Sequence, residues 1–285
     1  MPSPVMTPDK VREVKQSFDN SPKKSLMIRS QKVKVSKSTI YRTAKKIGLR
    51  HFGPRVVQAL KPSDNFHRRK FCTWFLSFRQ RNPETEVFFT DEAWFYLSGK
   101  VSKKVRIWAV KNPKAKVEAK HYPAKIGVWC AISHRRIIGP IFFTDTITAQ
   151  RYEAILCEFL KKLRATDKTQ IFFQQDGAPA HTARWIKSYL RSIFGSNLIG
   201  KGLDVNWPPR SPDLTPPDFF LCGFLKNTVY RSDPKTLEEL KLQINLGIRR
   251  ISKKTLKKTA DSVLRRAILC RSQKGGHFQH LLRKQ

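Results

Sequence analysis

Acidic residues are scarce in this chain: 21 Asp and Glu stand against 57 Lys and Arg over 285 residues, a formal net charge of +36. A surface this one-sided repels itself unless its partner is a polyanion, and nucleic acid is the first polyanion to consider. Long apolar runs are also missing, since stretches such as residues 137–143 fall far short of the roughly 20 residues that a membrane-spanning helix requires. The opening ten residues are polar and proline-bearing, so no signal peptide is expected. Five cysteines (Cys72, Cys130, Cys157, Cys222, Cys270) include no C-x-x-C pair, which argues against a disulfide frame or a thiolate zinc site and for reduced thiols inside a cell. The histidines lack paired metal-ligand spacing, and no internal repeat or low-complexity tract breaks the chain.

What is present divides into an all-helical start and a mixed remainder. Val11, Val14 and Phe18 recur at helical spacing after Pro8, and Pro22 ends or restarts that segment. In "SKSTIYRTAKKIGL", Ser36 reads as an N-cap, Ile40, Ala44 and Ile47 share one face, and Gly48 is a C-cap signal. The opposite face carries Lys37, Thr39, Arg42, Lys45 and Lys46. With a short helix around residues 25–32 before it, this spacing predicts a helix-turn-helix whose second helix meets a DNA major groove through its N-terminal side chains, Ser36, Lys37, Ser38 and Thr39 among them. A basic, solvated helix is the plainer alternative. No small or glycine residue occupies the turn before Ser36.

A further helix is expected over residues 58–78. Short β-rich runs follow, "EVFFTDEAWFYLSG", "KVRIWAV", "KIGVWCAIS" and "IIGPIFFT", then an amphipathic helix over 149–164, the strand "QIFFQ", a helix opened by Pro179, and a mostly helical end after Pro217. Strands first and alternation afterwards predict an α/β class, a mixed sheet flanked by helices.

Two of those strands share a layout. Asp91 in "VFFTDEAWF" and Asp176 in "IFFQQDGAPAH" each lie at or near the end of an apolar run. Strands that deliver two acids to one sheet edge create a pair that either shares a proton or binds a cation. Asp218, after Pro217 at the first turn of an apolar helix, is a third acid; each acid taken singly is better read as a turn former or cap, and it is the triplet in order that points to chemistry. Hard oxygen donors without competing sulfur or imidazole favour Mg²⁺ or Mn²⁺, and two such ions serve in-line phosphodiester displacement.

"TDEAWF", "QQDGAPAHTA" and "WPPRSPDLTPPDFFLCGFLK", in this order, resemble the three catalytic blocks of mariner-type DNA transposases in their aspartate-triad branch. The likeness extends to residues 21–49, to "KIGVWCAISHRRIIGPIFF", to "ITAQRYEAIL" and to "CRSQKGGHFQHL". It implies an RNase H-like catalytic core in which Asp91, Asp176 and Asp218 hold two Mg²⁺ or Mn²⁺ ions, with Glu92 and His181 beside them. It also implies a cut-and-paste transposase that binds terminal inverted repeats, hydrolyses the transposon ends and joins each 3′-OH to target DNA as a homodimer, in the nucleus. Asp213 is the rival for the third position, and the family pattern makes it a turn or capping residue.

Three further expectations follow from the same likeness. Residues 1–50 match the second of the family's two helix-turn-helix units, so the first is expected to be lacking; residues 51–82 form a helical linker, and residues 83–285 the catalytic domain with C-terminal helices. "FGPR" resembles the family's linker motif, which places Arg55 in a minor groove. The interval from Asp176 to Asp218 is longer than usual, and "FGSNLIGKGLDVNW" is the tolerant place for the surplus. Two other readings compete: a decayed or domesticated copy that only binds DNA, and a ribonuclease of similar core.

Overall fold

The computed structural model describes residues 6–51, 56–97, 124–163 and 170–282. The chain divides into two compact units, Met1–Val56 and Val57–Gln285.

The first unit is all-α: α1 (Pro8–Asp19), α2 (Leu26–Val33) and α3 (Lys37–Lys46). Each begins on a hydroxyl cap, Thr7, Ser25 or Ser36, that accepts a backbone N–H of the first turn. Val14, Val33 and Ile40 form its core. The turn between α2 and α3 works without glycine because Lys34 itself adopts φ 55°, and Ser30 Oγ donates to the Val35 carbonyl at 2.6 Å to hold it. A left-handed residue of this kind costs roughly 1–2 kcal/mol. Arg29 is fully buried, donates to the carbonyls of Ser17 and Ser21, and lies 3.9 Å above the Phe18 ring, so it ties α2 to the end of α1.

The second unit is built on a five-stranded sheet of β1 (Val87–Tyr96), β2 (Lys125–Ile132), β3 (Ile137–Phe143), β4 (Phe172–Gln174) and β5 (Leu198–Ile199), in the order β3-β2-β1-β4-β5. The first three strands are antiparallel neighbours, whereas β4 and β5 run parallel to β1. Helices cover both faces, which is why β1 reads as a continuous apolar run at its start. On one face Phe88, Trp129 and Phe173 pack against α5 (Ala149–Lys161) and α7 (Arg184–Phe194), the latter preceded by the single turn α6 (Pro179–Thr182). On the other, Val87 and Phe89 pack against α4 (Pro62–Arg81) and α10 (Lys253–Ser272). Farther along that second face, Phe95 and Val128 meet α8 (Cys222–Val229) and α9 (Leu237–Arg249). Burying each such aromatic contributes on the order of 1.5–3 kcal/mol.

Three features depart from what the sequence predicts. The helix expected within a linker, α4, contributes Phe71, Phe75 and Phe78 to the core and so forms part of the second unit. The single helix expected after Pro179 is two, broken at Ala183, whose ψ of 137° is extended. "FGSNLIGKGLDVNW" contains the edge strand β5 and an added bridge from Ile199 to Val205, with Leu198, Ile199, Leu203 and Trp207 buried, so it is a fixed part of the sheet. The strand expected over "KVRIWAV" lies outside the described residues. No helix among the described residues is long and apolar enough to cross a membrane.

Candidate active site

Register alone brings two of the acids together. β1 and β4 pair in parallel from Val87↔Phe172 to Phe89↔Gln174. Two residues beyond that last pair come Asp91 on β1 and Asp176 just past β4, so strand alternation puts both on the Phe89 face of the sheet. The third acid arrives from another direction. A 3-10 turn (Pro212–Leu214) is followed by a π-helical turn (Pro217–Leu221) that runs directly into α8. Asp218 stands at its start and hydrogen-bonds to the Asp91 carboxyl, while Thr215 Oγ1 donates to Asp218 Oδ2 at 2.6 Å. π-turns of this kind recur at functional sites because they re-aim one side chain within an otherwise regular helix.

The electrostatics follow from crowding. Burial, then the proximity of Asp218 and Glu92, pushes the Asp91 carboxyl well above the usual carboxylate range. Desolvation raises Asp218 too, outweighing the hydrogen bonds from Thr215 and Asp91. Two crowded carboxyls that are both raised hold a proton between them as a pair. Asp176 goes the other way: burial would raise it, but hydrogen bonds from His181 and from the Ala178 amide hold it below its ordinary value. His181 Nδ1 lies 2.6 Å and the Ala178 amide 2.9 Å from Asp176 Oδ1, and Oδ2 takes part in neither bond.

Glu92 and His181 sit behind the acids. Alternation along β1 turns Glu92 to the face opposite Asp91, and His181 bridges across, with Nδ1 on Asp176 and Nε2 3.2 Å from Glu92 Oε1. Burial alone would lower the imidazole, yet its bonds to Asp176 and Glu92 raise it to about 9. Two residues absent from the sequence reading complete this layer. Tyr152 is fully buried, stacks on the His181 ring at 4.0 Å and donates to Gln175 Oε1 at 2.9 Å, and Gln175 Nε2 donates to the His181 carbonyl at 2.9 Å. The "QQD" tripeptide carried a signal for Gln175, a polar residue directed into a core by strand parity; Tyr152 looked like one more apolar residue of α5.

Asp213 is held elsewhere. Arg68 donates to both of its oxygens at 2.7 and 2.8 Å, Gln279 Nε2 adds a bond at 2.8 Å, and Arg266 donates to its carbonyl at 3.0 Å. The residue clamps the loop that leads to Asp218, and its charge acts on the acid cluster only by helping to raise Asp218.

The donor set suits a hard divalent cation. Oxygen ligands dominate, the one nearby imidazole is already held between two carboxylates, and burial with the adjacent Asp91 and Asp218 pushes the Cys222 thiol up to about 12, so it stays protonated. Among the described residues no three His, Cys, Asp or Glu side chains already stand in a geometry that would hold a metal ion. The contacts give the reason: Asp91 and Asp218 are joined through a proton, and Asp176 faces His181.

The side chains expected to meet DNA lie in the first unit. Lys37, Ser38, Arg42, Lys45 and Lys46 are exposed on α3, and Thr39 is half-buried. Ser36 Oγ is occupied by the cap, 3.1 Å from the Thr39 amide. Arg55 lies outside the described residues.

No protein-family model matches the chain. Its sequence is 28% identical over 229 residues to the Tc3 transposase of Caenorhabditis elegans, across 77% of this chain and 64% of that relative, so the chain spans just under two thirds of the relative's length. The fold resembles the Mos1 transposase in its paired-end complex with the left transposon end, with a TM-score of 0.75 at 18% identity, covering 95% of this chain and 81% of that one. It also matches the Mos1 mariner paired-end complex with Mn, TM-score 0.73 at 18% identity over 94% and 79% of the two chains. The Mos1 catalytic domain alone gives a TM-score of 0.61 at 19% identity, over 79% of this chain and all of that domain. The resemblance to mariner-type transposases is thus borne out in sequence and in fold, and the five-stranded mixed sheet flanked by helices belongs to a chain that shares the fold of that catalytic domain.

Proposed function

We propose that this chain, which resembles mariner-type transposases in fold, is a divalent-metal-dependent cut-and-paste DNA transposase. In this reading it binds terminal inverted repeats, hydrolyses phosphodiester bonds at the transposon ends and joins each 3′-OH to target DNA, acting in the nucleus as a homodimer that holds two ends. The observation that carries the proposal is that Asp91, Asp176 and Asp218, from three chain segments, lie near enough for Asp176 to act on the charges of the other two, two of them placed by strand register and one by a π-turn. The Mos1 structures, solved with transposon-end DNA and with Mg or Mn, support the same chemistry for the shared fold.

Two Mg²⁺ or Mn²⁺ ions held by Asp91, Asp176 and Asp218 would supply activation of the attacking oxygen and stabilisation of the leaving oxygen. The rest is work for this chain's own side chains. Asp91 and Asp218 would present ionised oxygens to such a cation, their proton passing to solvent. His181 and the Ala178 amide fix Asp176 through Oδ1, and Glu92 and Tyr152 fix His181 in turn. Thr215 aims Asp218. Exposed Lys37, Arg42, Lys45 and Lys46 on α3 engage DNA phosphates and base edges, with affinity that falls as salt rises.

The test is nicking of DNA that carries the element's terminal inverted repeats, in Mn²⁺, by the chain and by Asp176→Ala. Loss of nicking in the variant is expected; equal nicking by both contradicts the assignment.

A further inference from the structure

Beside the acid cluster, on the same face of the second unit, lies a cavity of about 620 Å³ between α4, the β2–β3 turn and the first turns of α10. Its floor is apolar, with Phe75, Phe89, Leu256, Val263 and Leu264, and its rim is cationic, with Arg79, Arg135, Lys253 and Lys257 against the carboxylates of Glu84 and Asp261. We propose that this cavity receives one nucleotide of single-stranded DNA next to the scissile phosphate, its base on the apolar floor and its phosphates on the α10 lysines and Arg135.

Four observations support this. Its size falls within the roughly 300–1,000 Å³ of cavities that enclose small organic ligands. Its charges are arranged for an anion: α10 has no acid in its first turn and places Lys253, Lys254, Lys257 and Lys258 at the end where the helix dipole is already positive, whereas α9 begins with Glu238 and Glu239. Arg79, half-buried, donates to the carbonyls of Thr85 and Pro83 at 2.6 and 2.5 Å, and the nearby Glu84 offsets part of its charge. Burial, then Arg135 and Arg79, lowers the neighbouring His134, as expected where positive charge is in excess.

Position supplies the link to chemistry. Phe89 of the floor is two strand residues from Asp91, roughly 7 Å, and Pro216 of the wall is two residues from Asp218. A strand whose phosphate lies at the acids therefore reaches the cavity with an adjacent nucleotide. An aromatic and aliphatic floor with cations at its edge is the general means of holding an unpaired base irrespective of sequence. The ligand's identity as DNA rests on the transposase reading; the cavity and its charges do not.

The test uses the full chain in EDTA, where no cleavage occurs, so that failure of the proposed chemistry leaves the result untouched. A short single-stranded oligothymidylate bearing one 5-iododeoxyuridine is irradiated with the protein and the crosslinked peptides are identified. Crosslinks are expected on the peptides that contain Phe75 and Leu264. Ala260→Trp, which fills the cavity from its wall, is expected to lower them roughly tenfold, about what stacking one base supplies. Lys253→Glu with Lys257→Glu, on the exposed rim where folding is not at stake, is expected to lower them comparably and to flatten their dependence on salt. Crosslinks that map only outside the cavity, or that persist unchanged in the rim variant, overturn the proposal.

Discussion

Arg68 holds both carboxylate oxygens of Asp213 across 145 positions of sequence, at 2.7 and 2.8 Å, and has no exposed side-chain surface. Its Nε also donates to the Gly275 carbonyl at 2.7 Å, so one guanidinium ties α4, the loop before Asp218 and the chain beyond α10. Replacing Arg68 with Met leaves a largely buried Asp213 without its main partner. A loss of about 3–5 kcal/mol is expected from urea denaturation. A loss within experimental error would show that the clamp is not structural.

The acids make the opposite prediction in the absence of metal. Burial, and then the charges of Asp218 and Glu92, push the Asp91 carboxyl well above the usual range. Asp91→Asn keeps the shape and removes one carboxylate, so the metal-free variant is expected to unfold at the same temperature as the parent or higher. In saturating Mn²⁺ the order reverses: at one hundred times Kd the parent gains about 2.7 kcal/mol that the variant does not. Equal stabilisation of both by Mn²⁺ would place the ion elsewhere.

His181 gives the metal-free protein a pH signature. Its folded-state pKa is raised to about 9 by Asp176 and Glu92 against the ordinary 6.5. A raised cationic group contributes stability that is fully present below 6.5 and is lost as pH climbs through 9. The loss amounts to about 3 kcal/mol at most. Denaturation midpoints in EDTA at pH 6 and pH 9.5 are expected to differ accordingly, and His181→Gln to flatten the difference. A parent profile no steeper than that of His181→Gln would refute the ion pair.

Removing an acid tests the chemistry. Asp176→Ala forfeits several kcal/mol of transition-state stabilisation if a divalent ion is held there, and Mn²⁺-dependent nicking is expected to fall on the order of 10³-fold. Binding of duplex DNA, driven by counterion release at the basic surface, is expected to change little. Gel-shift and nicking assays on one preparation separate the two effects.

The acids were legible because their signal is local: an apolar run that stops on Asp is visible in "VFFTDEAWF" and "IFFQQDGAPAH", and period-two alternation already separates Asp91 from Glu92 by face. Ser36 as a cap and Gly48, at φ 82°, were legible for the same reason. Thr215 was within reach, since a hydroxyl three residues before an acid at a helix start is a capping pattern. The role of Arg68 was not: nothing near residue 68 marks it, and its partners are supplied by packing. The turn at Lys34 illustrates the converse, a position where sequence asks for glycine and the fold uses a lysine held by Ser30. β5 went unseen because two residues are too few to show a period.

The central claim is that three aspartates from distant segments share divalent ions. Soaking Mn²⁺ into crystals of the chain and locating it by anomalous scattering tests this most directly. The expected result is density within about 2.0–2.3 Å of oxygens from Asp91, Asp176 and Asp218, with the Asp91–Asp218 hydrogen bond replaced by metal contacts. Manganese bound only at other carboxylates, with that hydrogen bond intact, would contradict it.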